Sequence, residues 1–330
     1  MRIAILGAGA WGTALGIALS PRHEITLWCR DKQQGAELAT ARVNTRYLPR
    51  VAIPVPVRIT ADADSALLSC ELAIIAVPAA AMRETVRRVA RQKHVPSVVW
   101  LCKGFESGSA KFPHQVVSEE LDERVRFGAL SGPSFAVEVA RGLPAAVTLA
   151  SRDAEFAAAA ARELHTGRLR VYSSDDLAGV ETGGAVKNVI AIAAGVCDGL
   201  ELGSSARAAL ITRGLAEITR LGMRLGGRLE TFMGLAGAGD LVLTATSDLS
   251  RNRRVGLGLA SGRRLADILG DLGHVAEGVF SAREVLRLAL DRDVDMPITR
   301  AVCRVLDGEA SARDAVEELL QREPKSESVR

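Results

Sequence analysis

The sequence predicts an α/β fold in which an N-terminal, mostly parallel Rossmann-type sheet precedes a C-terminal all-α domain. Three observations support this prediction. The chain opens with an apolar run that ends in a glycine turn, strand-like and helix-like runs alternate up to about residue 180, and alanine- and leucine-rich helical patterning fills residues 186 to about 320. Alternating strands and helices favour a parallel sheet covered by helices. We therefore expect a sheet-containing domain at 1–180 and a helical domain at 181–330.

The start of the chain has the pattern strand, glycine turn, helix. The apolar run 1–6 leads into Gly-Ala-Gly-Ala-Trp-Gly at 7–12, a helix-prone segment follows, and a second strand-like run lies at 24–29. In such a motif Gly7 permits a tight turn, Gly9 lets a pyrophosphate approach the backbone, and Gly12 lets the helix pack close to its strand. The helix N-terminus favours an anion. This context favours a dinucleotide site over a purely structural turn.

The residues at the end of the second strand determine whether such a site binds NAD or NADP. A carboxylate there binds the ribose 2′-hydroxyl of NAD, whereas an arginine accepts the 2′-phosphate of NADP. Arg30 and Asp31 are adjacent at this point. NADP is therefore usable and NAD is not excluded, and a merely solvated Arg30 is an equally good interpretation.

Further runs continue the alternation as far as residue 172. The strand-like runs lie at 57–60, 72–77, 98–102, 126–130, 146–150 and 169–172, and two of the helix-like runs lie at 82–92 and 153–164. Lys103 follows one of these strands, and the segment 131–136, Ser-Gly-Pro-Ser-Phe-Ala, follows another. Open α/β sheets bind their ligands beyond the carboxyl ends of strands. Both segments are candidate site residues, although Gly, Pro and Ser also form ordinary turns.

Composition and charge are those of an ordinary soluble globular protein. Of 330 residues, 48% are hydrophobic and 25% charged, and the 42 basic against 39 acidic side chains leave a net charge of +3. So small an excess does not indicate a nucleic-acid or membrane-binding surface. The five cysteines lie far apart without a C-x-x-C pair, which indicates buried thiols in a reducing compartment, and we expect no metal site.

No segment indicates export or membrane insertion. The first apolar run is short, ends in glycines and has no charged region before it, unlike a signal peptide. The apolar segment 189–196 is far shorter than the about 20 residues needed to span a bilayer. We expect a cytoplasmic protein that binds no nucleic acid.

Three polar groups lie in apolar or glycine-rich surroundings of the helical part. Lys187 precedes a run of small apolar residues, and a lysine held partly out of water can act as a base near neutral pH. Asp240 follows a glycine-rich turn, and the segment 250–254, Ser-Arg-Asn-Arg-Arg, can bind a phosphate. The alternatives are that Lys187 extends to solvent from a helix end, that Asp240 caps a helix, and that 250–254 is a solvated turn.

Taken together, these segments resemble the bacterial NAD(P)-dependent glycerol-3-phosphate dehydrogenase family. The segments that carry the resemblance occur in the family's order at 7–15, 44–49, 131–136, 186–189, 206–222 and 250–252. The chain departs from the family at Ala10, where serine is frequent, and at Ser204 and Ser205, where Asp-Asn is frequent.

The resemblance implies an enzyme that interconverts sn-glycerol 3-phosphate and dihydroxyacetone phosphate with NAD or NADP and supplies phospholipid synthesis. It also implies a homodimer, in which 1–180 is the dinucleotide-binding domain, 181–330 is the helical substrate-binding and catalytic domain, and Lys187 is the general acid/base. The implied substrate-binding residues are Lys103, Gly132, Ser134, Lys187, Asn188, Asp240, Thr244, Ser250, Arg251 and Asn252. The implied cofactor-binding residues are Gly7, Gly9, Ala10, Trp11, Gly12, Arg30, Lys103, Ala136, Arg251, Val275 and Glu277.

Two other kinds of protein share parts of this pattern. Reductases of other small hydroxyacids or keto acids, such as 2-ketopantoate, also pair a Rossmann domain with a helical domain, but they need no phosphate-binding segment at 250–252. A non-catalytic NAD(P)-sensing protein would have no reason to retain Lys187, Asp240 and Arg251 together. The joint presence of the three favours the dehydrogenase.

Overall fold

The computed structural model of the chain describes residues 1–273 and 275–323. Its N-terminal part is built on ten strands. They are β1 (Arg2–Leu6), β2 (Glu24–Trp28), β3 (Val43–Asn44), β4 (Leu48–Ala52), β5 (Arg58–Thr60), β6 (Leu72–Ile75), β7 (Ser97–Trp100), β8 (Phe127–Ser131), β9 (Ala145–Ala150) and β10 (Leu169–Ser174). Eight of them form one sheet in the order β10-β9-β8-β7-β6-β1-β2-β5, and β3 and β4 form a separate antiparallel pair.

The large sheet is parallel except at one pair, because β9 runs antiparallel to β8. The central strand β1 buries Ile3, Ala4, Ile5 and Leu6, so both of its faces are covered, as a parallel sheet requires. The strand order reverses between β1 and β6. This reversal opens a crevice at the carboxyl ends of the two strands, where doubly wound folds bind their ligands.

Seven helices cover this sheet. They are α1 (Ala10–Leu19), α2 (Lys32–Ala41), α3 (Ala63–Leu67), α4 (Met82–Ala90), α5 (Pro113–Glu120), α6 (Ala136–Ala140) and α7 (Ala154–Leu164), with a 3₁₀ turn at Ala79–Ala81. The predicted fold class is confirmed, and the strands that the sequence predicts lie within a few residues of their expected positions. The sequence patterns missed the hairpin of β3 and β4 and the reversed direction of β9.

The rest of the described chain is helical. The helices are α8 (Leu177–Gly199), α9 (Gly203–Arg224), α10 (Leu229–Met233), α11 (Asp240–Thr246), α12 (Arg251–Ala260), α13 (Leu265–Leu272), α14 (Glu277–Asp291), α15 (Pro297–Leu306) and α16 (Ala312–Leu320), and a π-helical turn at Leu235–Gly239 precedes α11. The helix α8 lies in the centre, and most of its residues are buried. Helices α9, α11, α12 and α14 pack around it.

The helices α8 and α12 touch backbone to backbone. A Cβ atom on Gly195 would lie 2.0 Å from the carbonyl oxygen of Arg253, and one on Gly256 would lie 2.0 Å from that of Ile192. No other residue fits at either position without moving a helix. The two glycines therefore set the distance between α8 and the helix that carries the segment 251–254.

The length of α8 corrects one expectation. The sequence pattern indicated an apolar segment only at 189–196, yet α8 is a continuous helix of 23 residues, long and apolar enough to span a bilayer by length and composition alone. Its most apolar stretch lies wholly inside the protein. A largely apolar helix that is covered on all sides by the rest of the protein is a core helix.

The two parts of the chain share their interior. The sheet ends at Ser174 and α8 begins at Leu177, but Phe105 and Phe112, which follow β7, belong to the hydrophobic core of the helical part. The division between residues 180 and 181 remains a proposal. Because the side chains of Phe105 and Phe112 belong to the core of the helical part, no single position in the chain separates the two cores.

A buried carboxylate holds the start of α15. Glu217 on α9 accepts hydrogen bonds from the backbone N–H of Ile298 at 2.6 Å, from that of Thr299 at 3.1 Å and from the Thr299 hydroxyl at 3.0 Å. These are among the N–H groups that a helix leaves without internal partners. Burial raises the pKa of Glu217 from 4.5 to about 7, although the three hydrogen bonds act in the opposite direction.

This raised pKa predicts a pH-dependent contribution to stability. Because the folded protein binds the Glu217 proton more tightly than the unfolded chain, stability falls as pH rises through the interval from about 4.5 to about 7. Glu217→Gln cannot titrate, so its free energy of unfolding relative to wild type should rise by about 2 to 3 kcal/mol between pH 5 and pH 8. Urea unfolding at unit pH steps measures the difference.

The exposed Glu155 provides a matched control for this prediction. Glu155→Gln should change the free energy of unfolding by a constant amount of less than about 0.5 kcal/mol over the same pH interval. A pH-independent difference for Glu217→Gln would contradict the proposed titration.

Candidate active site

The glycine turn between β1 and α1 leaves open space in front of its middle glycine. Gly7 has φ +126°, and a Cβ atom there would lie 2.6 Å from the Ala76 carbonyl oxygen, while one on Gly12 would lie 1.9 Å from the Gly7 carbonyl oxygen. Both glycines are therefore required by the protein's own packing. Gly9 differs, because its φ is an ordinary −76° and no atom lies within 4 Å of its Cβ position. A glycine that the protein does not itself need leaves room for a ligand.

The N-terminus of α1 faces this turn without a side-chain cap. The N-cap is Gly9, which offers no side chain, and Ala10 and Trp11 begin the helix in partly buried positions. The first N–H groups of a helix need partners and carry its positive dipole end. Together with the open space at Gly9 and the strand reversal beside β1, the uncapped helix fits a pyrophosphate.

The two candidate residues at the end of β2, Arg30 and Asp31, have different environments in the structure. Asp31 caps α2, because its carboxylate accepts a hydrogen bond from the Gln34 N–H at 2.9 Å. Arg30 is exposed, and its guanidinium forms no hydrogen bond within the described part of the chain. Asp31 thus has a structural role of its own, whereas Arg30 has none there.

A lysine–aspartate cluster, consisting of Lys103, Lys187 and Asp240, joins the two parts of the molecule. The Lys187 Nζ donates to Asp240 Oδ1 at 2.5 Å and to the Thr244 hydroxyl at 2.7 Å. The Lys103 Nζ donates to Asp240 Oδ2 at 2.5 Å and to the Gly132 carbonyl at 3.4 Å. Asp240 is 1% exposed and Lys187 5% exposed, so both are out of water.

Burial shapes the charges in this cluster. Burial lowers the pKa of Lys187 from 10.5 to about 7, and the positive charge of Lys103 acts in the same direction, against the attraction of Asp240. Burial would raise the pKa of Asp240, but the two ammonium groups outweigh it and hold that pKa below its ordinary value. Asp240 is therefore a carboxylate at neutral pH, and Lys187 can lose and regain a proton there.

Two alternatives from the sequence are wrong. Lys187 does not reach solvent from a helix end, because α8 begins ten residues earlier, at Leu177. Gly183, within α8, serves close packing: a Cβ atom there would lie 2.5 Å from the Ala236 carbonyl oxygen. Nor does Asp240 cap α11 with its side chain, since its carboxylate binds the two lysines.

A chain of buried amides lies beside the cluster. Asn188 accepts a hydrogen bond from the Asn252 amide at 2.9 Å, and Asn252 in turn accepts one from the Gly278 N–H at 3.0 Å. These bonds connect α8, α12 and α14 next to the cluster. Glu277 at the start of α14 is partly buried, and burial raises its pKa while the nearby charge of Arg251 lowers it.

The segment 250–254 divides into structural and outward-facing residues. Ser250 caps α12 by accepting a hydrogen bond from the Arg253 N–H at 3.2 Å. The Arg253 guanidinium is buried and pairs with Asp198 at 2.7 Å. Arg251 is exposed beside Asn252, and Val275 is exposed before α14. Within the segment, Arg251 is therefore the guanidinium best placed to meet a ligand near Glu277.

The loop after β8 brings backbone groups to the same place. Gly132 has φ +139° and its carbonyl accepts hydrogen bonds from Ser134 Oγ at 3.0 Å and from Lys103. Ala136 begins α6 next to this turn. The Ser131 hydroxyl is buried and has no partner in the described structure. A buried hydroxyl without a partner beside two lysines is compatible with a site for a polar ligand.

The loop that carries Lys103 is fastened to the helical part. Phe105 and Phe112 insert into its hydrophobic core, and the Gly108 N–H donates to Glu284 Oε1 on α14 at 2.8 Å. These contacts hold Lys103 toward Asp240. The sequence patterns did not indicate them, because residues 108 and 284 lie far apart in the chain and neither belongs to a recognisable motif.

Sequence reasoning also assigned no role to Asn44, whose buried side chain contacts the glycine turn. No pattern around residue 44 indicates that contact, because its partner lies 36 residues away. Among the described residues, no group of three or more His, Cys, Asp or Glu side chains is arranged to hold a metal ion.

Two family models match the chain, one in each part. Residues 2–157 match the model described as NAD-dependent glycerol-3-phosphate dehydrogenase N-terminus, and residues 176–317 match the corresponding C-terminus. The matches lie on either side of the junction between β10 and α8.

Individual proteins are similar over the full length. Proteins named glycerol-3-phosphate dehydrogenase (NAD(P)+) from Nitrosospira multiformis and Dechloromonas aromatica are 60% and 58% identical, and each alignment covers 99% of both chains. The crystal structure of glycerol-3-phosphate dehydrogenase from Coxiella burnetii has a TM-score of 0.93 and 43% identity, covering 97% of this chain and 98% of that one. The fold and nearly the full length of the chain thus have close counterparts.

Proposed function

Because this chain belongs to the NAD-dependent glycerol-3-phosphate dehydrogenase family, we propose that its lysine–aspartate cluster is the catalytic centre at which sn-glycerol 3-phosphate and dihydroxyacetone phosphate are interconverted. The chain is an oxidoreductase that uses NAD or NADP. One observation carries the assignment: a buried lysine with a pKa of about 7 is held by Asp240 and Thr244 beside the carboxyl ends of the sheet strands.

Lys187 is proposed to move the proton of the C2 hydroxyl. In the oxidation its neutral amine accepts that proton, and in the reduction its ammonium group returns one to the carbonyl oxygen. When bound, the nicotinamide would accept a hydride from C2 of the substrate in the oxidation and would return one to C2 in the reduction. Thr244 and Asp240 both form hydrogen bonds with Lys187 Nζ. They therefore fix the direction of the third bonding position on this nitrogen, the one left for the substrate.

The phosphate of the substrate is proposed to lie between Lys103 and Arg251. Lys103 comes from the sheet part and Arg251 from α12, so a dianion between them bridges the two halves of the molecule. The other proposed substrate contacts come from the buried amides Asn188 and Asn252, the loop at Gly132 and Ser134, and Ser250. Ser250 contributes mainly by orienting the first turn of α12.

The cofactor is proposed to lie along the crevice beside β1. Gly7, Gly9, Ala10, Trp11 and Gly12 surround its pyrophosphate, and the uncapped α1 and the open space at Gly9 support this placement. Arg30 faces its adenosine end. The remaining proposed contacts, near the nicotinamide, are Lys103, Ala136, Arg251, Val275 and Glu277.

We also propose a cytoplasmic homodimer that supplies glycerol 3-phosphate for phospholipid synthesis. The resemblance to the bacterial family supports all three points. The five cysteines are free thiols, and three of them are buried, which agrees with a reducing compartment. Light scattering coupled to size exclusion measures the assembly, and a mass of one chain at micromolar concentration would contradict the dimer.

Lys187→Ala should retain the fold and cofactor binding but lose at least about two orders of magnitude in kcat, the usual worth of a positioned acid/base group. In the wild type, kcat/KM for glycerol 3-phosphate oxidation should rise about tenfold per pH unit below pH 7 and level off above it, because only the neutral amine accepts a proton. In the reduction the dependence is reversed, since the ammonium form is required.

Steady-state kinetics in both directions from about pH 5.5 to pH 9 measure these profiles. Lys93→Ala, at an exposed lysine outside the cluster, is the matched control and should keep both profiles unchanged. Turnover near that of the wild type in Lys187→Ala would remove Lys187 from the mechanism.

Arg251→Ala should lower kcat/KM for dihydroxyacetone phosphate by more than about tenfold and leave the weak reaction with dihydroxyacetone nearly unchanged. The reason is that a charge-assisted bond to phosphate contributes roughly 1.5 to 3 kcal/mol. Arg251→Lys should restore part of the loss, because it keeps the charge but not the planar fork. The ratio of the two efficiencies is the measured quantity, which cancels any loss through the cofactor.

Arg254, exposed on the same turn of α12, is the matched control. Arg254→Ala should leave the ratio of efficiencies at its wild-type value. If Arg251→Ala also leaves the ratio unaltered, Arg251 does not bind the phosphate, and a general hydroxyacid reductase becomes the better assignment.

Arg30→Ala should raise the KM for NADPH by about tenfold or more and change the KM for NADH little, because only NADPH carries a 2′-phosphate for a guanidinium to bind. Lys32→Ala removes an exposed charge two residues away and serves as the control. Initial rates with both cofactors measure the effect. Equal losses with NADPH and NADH would show that Arg30 does not discriminate between them.

A further inference from the structure

We propose that Asn44 is a positioning residue for the cofactor: its buried amide fixes the plane of the peptide between Ala8 and Gly9, and thereby the direction of the Gly9 N–H at the pyrophosphate site. This inference rests on the proposed placement of the pyrophosphate at the glycine turn. Asn44 lies at the end of β3, in the hairpin that packs against α1 and α6.

Every polar atom of the Asn44 side chain is engaged. Its Nδ2 donates to the Ala8 carbonyl at 3.0 Å and to the Thr13 hydroxyl at 2.8 Å, and its Oδ1 accepts from the Tyr47 N–H at 3.2 Å. The side chain is 1% exposed. A buried amide with all its bonds formed cannot turn without leaving polar groups unpaired, so it holds its partners in fixed positions.

The held carbonyl determines the direction of the next N–H group. In a trans peptide the C=O and the N–H point in opposite directions, so the bond from Asn44 to the Ala8 carbonyl turns the Gly9 N–H away from Asn44. The Gly9 N–H forms no hydrogen bond within the described part of the chain. The Gly9 N–H is therefore an available donor. The space beside Gly9 is open, because a Cβ atom built there would have no atom within 4 Å.

A turn of this composition needs such a restraint. Ala8 lies between two glycines, and glycine adopts many backbone conformations at little cost, so the peptide between Ala8 and Gly9 is easily rotated unless something holds it. The second bond of Asn44, to Thr13, reaches the first turn of α1, where the Thr13 N–H bonds to the Gly9 carbonyl. Asn44 thus orients the turn and the helix N-terminus together toward one anion.

The structure offers a matched control at the same carbonyl. Gln34 Nε2 also reaches the Ala8 carbonyl, but at 3.4 Å and from a partly exposed position. This bond is longer and more accessible to water, so its loss should cost little. Asn44→Ala and Gln34→Ala therefore remove a strong and a weak bond to the same atom.

The experiment measures binding of three probes to wild type, Asn44→Ala and Gln34→Ala. NADPH binding is followed by its fluorescence, and ADP-ribose, which contains the pyrophosphate, and adenosine 2′-monophosphate, which does not, are measured by competition. Asn44→Ala should weaken NADPH and ADP-ribose about tenfold and leave adenosine 2′-monophosphate within about twofold. The KM for NADPH should rise in parallel, with kcat at saturating NADPH near wild type. Gln34→Ala should match wild type throughout.

Two results would overturn the inference: unchanged ADP-ribose binding in folded Asn44→Ala, or an equal loss of all three probes, which indicates a general structural role. If Asn44→Ala does not fold, Thr13→Val, which removes only one of the acceptors of Asn44, must show the same selective loss.

Gly9→Val tests separately the premise that the pyrophosphate lies at the glycine turn. If Gly9→Val binds ADP-ribose normally, the pyrophosphate does not lie at the turn, and the proposed cofactor placement fails together with the role of Asn44.

Discussion

The site depends on one buried carboxylate that separates two ammonium groups. Lys103 and Lys187 come from different parts of the chain and would repel each other strongly in a low-dielectric interior. Asp240 lies between them and bonds to each with a different oxygen. The cluster keeps one net positive charge when both lysines are protonated, so it remains attractive to an anionic substrate. Without the carboxylate, the sheet part and the helical part would lose their link through Lys103 and Asp240. Lys187 would also lose the charge that stabilises its protonated form.

The positions of Lys187 and Asn188 are set by backbone contacts around α8. Gly195 and Gly256 bring α12 against α8, and Gly278 brings α14 to the Asn188 carbonyl, where a Cβ atom would lie 2.6 Å from the oxygen. Contacts of this kind leave no side-chain freedom to absorb a displacement. Lys187 and Asn188 thus project from a helix whose neighbours cannot shift independently, which suits a site where hydrogen bonds of 2.5 to 2.9 Å must be kept.

The strands and the glycine turn could be predicted because their signals are local. Each strand is a short apolar run, and the spacing of Gly7, Gly9 and Gly12 belongs to one continuous segment. The features that could not be predicted depend on distant partners. Asp240 looks like a helix cap until Lys103 and Lys187 are placed beside it. Lys187 looks like a residue at a helix end until α8 is seen to begin ten residues earlier, and nothing within β9 indicates that it runs antiparallel to β8.

The two phenylalanines that the sheet part places in the helical core limit how this enzyme can be divided. A fragment that ended near residue 175 would expose Phe105 and Phe112 to water, and the complementary fragment would have two voids in its centre. A chimera that joined the sheet part of one relative to the helical part of another would likewise have to match these side chains to a foreign core. The two halves are therefore expected to be inherited and exchanged as a single unit.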